Sequence, residues 1–215
     1  MIEFARWSRL LRRCRTTYHC MGALLFSLLM LWVLPAHAFT YWDDTSASAV
    51  TLSRGDFVAR ASQLKGLEQL AYVNRVINNA ARQTPDTRDE WKGFDRLIRD
   101  NAGDCEDFAL AKYQILRQAG VPPDRMDLMA AEDQLTPSYH AVLRYRRDDG
   151  SHLILDNLTP LILPEHARSD LTPIVIFDQH HARRYHKGKF EVVDPARVLL
   201  GGVRLDKRMQ RLLDY

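Results

Sequence analysis

The order of two periodicities along the chain predicts an α+β fold. Helical spacing runs from Asp56 to Gly120, short alternating or apolar runs replace it from Met126 onward, and Asp148-Asp149-Gly150 reads as a hairpin turn between two strands. Helices first and an antiparallel sheet afterwards is the arrangement these observations favour. The 215 residues, 46% hydrophobic and 27% charged, are the make-up of an ordinary globular protein. A collagen, a coiled coil and a disordered acidic tail are excluded because no residue type dominates.

The first 38 residues read as a secretory signal peptide. Five arginines (Arg6, Arg9, Arg12, Arg13, Arg15) precede the apolar run Met21 to Leu34, and Ala36-His37-Ala38 fits a small-x-small cleavage site. A run of about 14 apolar residues is short for a bilayer span, which needs about 20, so an uncleaved anchor is the competing reading. The expected boundaries are residues 1–38 for the signal and 39–215 for the domain.

Within the domain, Leu67, Leu70, Ala71, Val73, Val76, Ile77 and Ala80 recur at three- and four-residue intervals between Asp56 and Gln83, with Gly66 a point where the stretch divides. Thr84-Pro85-Asp86 ends it. A short helix is expected from Asp86 to Asp100, carrying Trp91, Phe94, Leu97 and Ile98, and Trp91 reads as a core aromatic. After the break at Asn101-Ala102-Gly103, a further helix starts at Asp104, whose side chain suits an N-cap, with Asp107 as the acid of the first turn. Gly120 closes it. Strands are expected at Met126 to Ala130, Tyr139 to Tyr145, His152 to Asp156, Ile174 to Phe177 and Lys189 to Val193. The tail from Val203 to Tyr215 reads as a surface helix or a frayed end.

Charge argues against nucleic acid. The full chain has 30 Lys and Arg against 27 Asp and Glu, but without the first 38 residues 25 basic residues face 26 acidic ones. A phosphate-binding surface needs a clustered surplus of Lys and Arg. Cys14 and Cys20 leave with the signal, so Cys105 is the lone thiol of a chain sent to an oxidising compartment. Such a thiol is buried and inert, bridged to another molecule, or kept reactive, and its neighbours decide which.

Those neighbours suggest chemistry. A helix N-terminus presents orphan N–H groups and the positive end of the macrodipole, which favour a thiolate and an oxyanion. His140, in Ser138-Tyr139-His140-Ala141-Val142-Leu143, is a proton acceptor on the first long strand after that helix. Asp156 ends the next strand and can orient the imidazole if the hairpin sets the two strands side by side, giving the order Cys, His, Asp. Singly, each residue has an ordinary structural reading: a buried Cys, a partial-core His, a turn Asp.

The segment from Gly103-Asp104-Cys105-Glu106-Asp107-Phe108-Ala109 to Tyr113 resembles the active-site signature of the bacterial transglutaminase-like cysteine proteinases, the LapG-type periplasmic proteases. His140-Ala141-Val142-Leu143, Leu155-Asp156-Asn157 and Arg168-Ser169-Asp170-Leu171-Thr172-Pro173 resemble later segments of that family, and Val73-Asn74 and Trp91 fall where similar residues occur. The resemblance implies a papain-like, transglutaminase-like fold, a Cys105, His140, Asp156 triad and Ca2+-dependent endoproteolysis in the periplasm. It further implies cleavage of a large surface adhesin near its N-terminus, with release from biofilm. The implied partner is an inner-membrane cyclic-di-GMP receptor that sequesters the protease through its periplasmic domain.

Calcium has an independent motive. Asp104, Glu106 and Asp107 surround Cys105 with carboxylates that disfavour a thiolate, and a hard cation taking carboxylate oxygens offsets them. Asp104 and Glu106 are the stronger candidate ligands, because capping already accounts for Asp107. The basic, histidine-rich stretch between Asp178 and Lys189 departs from what the family leads one to expect, and reads as a solvated loop or, less simply, a transition-metal site. Two other functions share these residues: a transglutaminase, in which an amine resolves the acyl-enzyme, and a non-catalytic module that docks on a receptor.

Overall fold

A computed structural model describes residues 53–85, 90–136, 138–200, 203–204 and 207–214. The chain divides into residues 1–50 and 51–215. The expected signal peptide and its cleavage site lie outside the described residues. Among the described residues, no helix is long and apolar enough to cross a membrane.

Two helices open the described chain, α1 (Arg54–Gln63) and α2 (Gly66–Ala80). Ser53 caps α1, and Gly66, at φ 56°, divides the two where the sequence predicted a division. Phe57 and Ala61 of α1 and Leu70, Val73 and Ile77 of α2 are buried. Arg82–Gln83 (β1) then pairs in parallel with Ala102–Gly103 (β2), and α3 (Phe94–Asp100) lies between them.

The start of α3 corrects the expected helix from Asp86. Residues 86–89 lie outside the described residues, and Trp91 precedes the helix. The Lys92 N–H is taken by the Asp107 carboxylate at 2.6 Å and the Phe94 N–H by Gln114 Oε1 at 2.8 Å, so this backbone is tied to the next helix rather than coiled on itself. Trp91 is buried and meets Phe177 edge-on at 5.6 Å, a core residue as expected.

Helix α4 (Cys105–Gln118) is the central element, with its side chains buried from Glu106 to Leu116. It ends before Gly120, which takes φ 91°. The tail forms α5 (Lys207–Asp214) and docks on α4: Met209 and Leu213 are buried, Gln114 donates to the Leu212 carbonyl at 2.7 Å, and Arg117 to that of Leu213.

The sheet contains β3 (Met126–Asp133), β4 (Ser138–Arg146), β5 (His152–Leu155), β6 (Leu163–Pro164), β7 (Leu171–Phe177), β8 (Ala182–His186) and β9 (Lys189–Val193). They pair antiparallel in the order β6-β5-β4-β3-β7-β8-β9. The fold is α+β, as predicted. Alternation sorts the strands into two faces: Leu128, Leu143, Leu155, Val175 and Phe177 join the helical core, while Met129, Ala131, Val142, Ile154, Leu171 and Ile176 form a second cluster with Phe190. Arg144 of β4 stands 5.5 Å from the centre of the Phe190 ring of β9, four strands along, so the sheet curls over its second face.

β8 corrects the expected solvated loop between Asp178 and Lys189. Ala182 is fully buried, and Lys187 and Gly188, both at positive φ, make the turn into β9. A short pair, Leu199–Leu200 (β10) with Val203–Arg204 (β11), precedes α5.

Candidate active site

Cys105 is the first residue of α4, and the residues before it explain why the helix starts there. Asp104 is extended at the N-cap, and its N–H donates back to the Asp107 carboxylate at 3.2 Å, the reciprocal contact of a capping box. A Cβ on Gly103 would stand 2.6 Å from both Asp107 Oδ2 and Leu97 Cδ1, so this approach of chain to helix needs glycine. Asp107 also accepts from the Lys92 N–H and lies 3.4 Å from Lys92 Nζ. That carboxylate fastens the β1–α3 segment to α4.

The helix N-terminus was expected to favour a thiolate and the neighbouring carboxylates to oppose it, and around Cys105 the opposing side is joined by burial. Burial first, then the charge of Glu106, pushes the thiol up to about 12, against a backbone N–H from Ala141 that works the other way. The thiol donates to Glu106 Oε2 at 3.4 Å. Glu106 is itself pushed up to about 8 by burial and by neighbouring Asp104, and burial raises Asp107 to about 7. Asp104 Oδ1 is buried with no hydrogen-bond partner. Burial and the Glu106 carboxyl thus outweigh the helix dipole.

His140 lies on β4 and Asp156 follows β5 directly. The register pairs Leu143 with Leu155, which sets the two side by side, and His140 Nε2 meets Asp156 Oδ1 at 2.9 Å. Both are buried. Helix α4 packs against β4, so thiol and imidazole are carried by adjoining pieces of chain. Burial acts to raise the Asp156 carboxyl, but hydrogen bonds from His140, the Leu158 N–H at 3.0 Å and Arg168 Nη1 at 2.7 Å hold it well below the carboxylate range. From the helical layer, Asn78 donates to the Asp156 carbonyl at 2.8 Å. Lys112, fully buried on α4 with no hydrogen-bond partner for its amine, is pushed down to about 7 by burial, with Asp156 opposing.

Arg168 and Asn78 were not singled out from the sequence as site residues. Arg168 had a signal, an arginine two residues before an aspartate just ahead of a strand, but pairing with Asp156 is a tertiary fact. Around the histidine-rich stretch, His181 Nδ1 lies 3.3 Å from Asp178 and the His180 and His181 rings meet edge-on at 6.1 Å. Among the described residues, no group of three His, Cys, Asp or Glu is placed to hold a metal ion, there or beside Cys105. Asp104 and Glu106 stand together, whereas Asp107 has turned to Lys92.

A family model for the bacterial transglutaminase-like cysteine proteinases matches residues 35–182, spanning both the helix of Cys105 and the strands of His140 and Asp156. The chain belongs to that family. It is a cysteine protease. Solved structures of Legionella pneumophila LapG share the fold. One is 32% identical over 60% of this chain and 74% of LapG, with a TM-score of 0.56. The calcium-bound form is 30% identical over 74% of this chain and 87% of LapG, at 0.60. The EGTA-treated form is 29% identical over 75% and 84%, at 0.62. A comparison with curated proteins gives no significant match.

Proposed function

We propose that this transglutaminase-like cysteine proteinase is a periplasmic, calcium-dependent endopeptidase working through a Cys105, His140, Asp156 triad. The observation that carries the reading is the 2.9 Å contact of Asp156, just after β5, with His140 on β4, the strand against which the helix headed by Cys105 packs.

His140 takes the thiol proton, and the sulfur attacks the scissile carbonyl carbon, whose oxygen becomes an oxyanion facing the backbone N–H groups at the start of α4. Collapse expels the leaving amine, which receives the proton from His140, and leaves a thioester on Cys105. A water that His140 deprotonates then cleaves the thioester, releasing the new carboxylic acid and restoring the thiol. Asp156 keeps the ring oriented and stabilises its charged form.

Asp104 and Glu106 suit a calcium ion, as two carboxylates of a set that other oxygens must complete. Asp104 Oδ1 is buried without a partner, and Glu106 stands beside it with its carboxyl raised by burial and by Asp104, so these oxygens lack positive charge. Asp104 and Glu106 would hold the ion, with carbonyls and water completing the set, while Asp107 stays with Lys92. When bound, it would offset the carboxylate charge that adds to burial in keeping the thiol protonated. Calcium-bound and EGTA-treated forms of LapG support the same cofactor here.

The substrate and partner we infer from the resemblance are a large surface adhesin, cut near its N-terminus, and the periplasmic domain of an inner-membrane cyclic-di-GMP receptor. Export by residues 1–38 places the protease beside both. The test incubates the protein with the N-terminal part of a candidate adhesin, in calcium and in EGTA, alongside Cys105→Ala. Cleavage that needs calcium and Cys105 is expected. Cleavage by Cys105→Ala would overturn the triad, and cleavage undiminished by EGTA would overturn the calcium requirement.

A further inference from the structure

Asp156 is held from two directions. His140 Nε2 and the Leu158 N–H share Oδ1, which leaves Oδ2 to Arg168 Nη1 at 2.7 Å. Arg168 is itself gripped: its Nε lies 2.9 and 3.1 Å from the two oxygens of Asp170, and its Nη2 lies 2.6 Å from Asp170 Oδ2. A guanidinium held along its Nε and Nη2 edge has its plane fixed, and the remaining Nη1 can point in one direction only. The side chains of Arg168 and Asp156 are 10% and 0% exposed, so neither end of this contact is free to rearrange in water. Buried ion pairs add little net stability compared with apolar packing. What this one supplies is direction, because a carboxylate bonded through Oδ1 alone can turn about its own axis and carry the imidazole with it.

We propose that Arg168, locked by Asp170, is the positioning residue that fixes the Asp156 carboxylate and through it the ring of His140, which extends the catalytic chain to Asp170. The assignment rests on the triad reading above. Lysine cannot replace this arginine, since one ammonium cannot grip Asp170 edge-on and still aim a separate donor at Asp156. A role confined to fastening the chain ahead of β7 would leave the imidazole unaffected.

Two readouts on the full chain test this without any protein substrate. In ¹⁵N-histidine-labelled Cys105→Ala protein at pH 8, with the His140 ring assigned by His140→Gln, the nitrogen shifts should show the proton fixed on Nε2. Arg168→Gln and Arg168→Lys should move them toward a mixture of tautomers. With Cys105 present, iodoacetamide labelling at pH 7, followed by peptide mapping to separate Cys105 from Cys14 and Cys20, should slow by at least about tenfold in Arg168→Gln. In an Asp156→Asn background the same substitution should change the rate by less than about twofold, because both act through one group. Unchanged ring shifts and labelling in a variant that melts like the parent would overturn the proposal, as would losses that multiply in the double variant. If Arg168→Gln does not fold, Asp170→Asn releases the fork and should give the same changes in smaller degree. Failure of both to fold would overturn the proposal too, since the fork would then hold the fold and not the ring. A chain that shows these changes yet cleaves nothing would sink the peptidase reading and leave this one standing.

Discussion

Asn78 on α2 donates a 2.8 Å hydrogen bond to the backbone carbonyl of Asp156 and reaches the Thr159 carbonyl at 3.2 Å. The helical layer therefore holds the main chain of the residue whose side chain orients His140. Asn78→Ala leaves those carbonyls short of a partner, and the expected cost is about 1–2 kcal/mol of stability with reduced turnover. Urea unfolding and initial cleavage rates check it. Wild-type values for both would show that the loop after β5 holds its own shape.

Cys105 touches little that the core depends on, so its loss should separate chemistry from folding. Cys105→Ala is expected to abolish cleavage while changing stability by less than about 1 kcal/mol. His140→Ala should cost about a hundredfold or more in kcat, with binding of substrate nearly kept. Steady-state kinetics and thermal melts measure both. Residual cleavage by Cys105→Ala would assign the nucleophile elsewhere.

The carboxylates beside the thiol give stability an unusual pH dependence. Glu106 is raised from 4.5 to about 8 and Asp107 from 3.8 to about 7. Between those limits the folded chain keeps protons that the unfolded chain has released, so this contribution is complete below about pH 4 and is lost as pH rises through 7 to 8. In EGTA, the melting temperature should fall from pH 5 to pH 8. Glu106→Gln should flatten that fall, and added calcium should raise the melting temperature at pH 8. A melting temperature that climbs over this range in EGTA would mean that these carboxyls are solvated in the folded protein.

Gly103→Ala tests the approach to the helix. The added Cβ would meet Asp107 and Leu97 at 2.6 Å, so the capping box or the packing of α3 must give way. A loss of about 1–3 kcal/mol is expected, with a matching fall in activity because Cys105 is two residues on. Differential scanning calorimetry and initial rates decide it. An unchanged melt would show that α3 moves aside at no cost.

Trp91 serves as packing. Its contact with Phe177 ties the segment before α3 to β7, and Trp91→Ala should cost about 3–5 kcal/mol. Chemical denaturation would show this as an earlier midpoint. A stable variant that had instead lost binding to the proposed receptor domain would move Trp91 to the protein's recognition surface.

The helix of Cys105 is legible in the sequence because three local signals agree there: the break at Asn101-Ala102-Gly103, an acid suited to cap, and a second acid three residues on. The hairpin between β4 and β5 is legible for the same reason, since its turn residues and flanking alternation point to one pairing. β8 is not. Arg183, Arg184 and His186 hide the alternation, and what makes a strand of them is distant: Arg183 answers Asp127 and Asp178, and Ala182 closes the core. At the thiol, the helix dipole and the flanking carboxylates are local properties visible in the sequence, whereas burial exists only once α4 lies against β4.

Among the described residues, the outermost strand next to β5 is only Leu163–Pro164, and Pro164 has no N–H to offer. A foreign chain arriving beside Asp156 therefore finds too little exposed ladder to extend the sheet. The opposite border, β9, carries Lys189 and Glu191 on either side of inward-packed Phe190. Charge there discourages stacking between neighbouring copies. Among the described residues, a cysteine protease thus has at both margins features that work against adopting a foreign chain, or another copy of itself, as an extra strand.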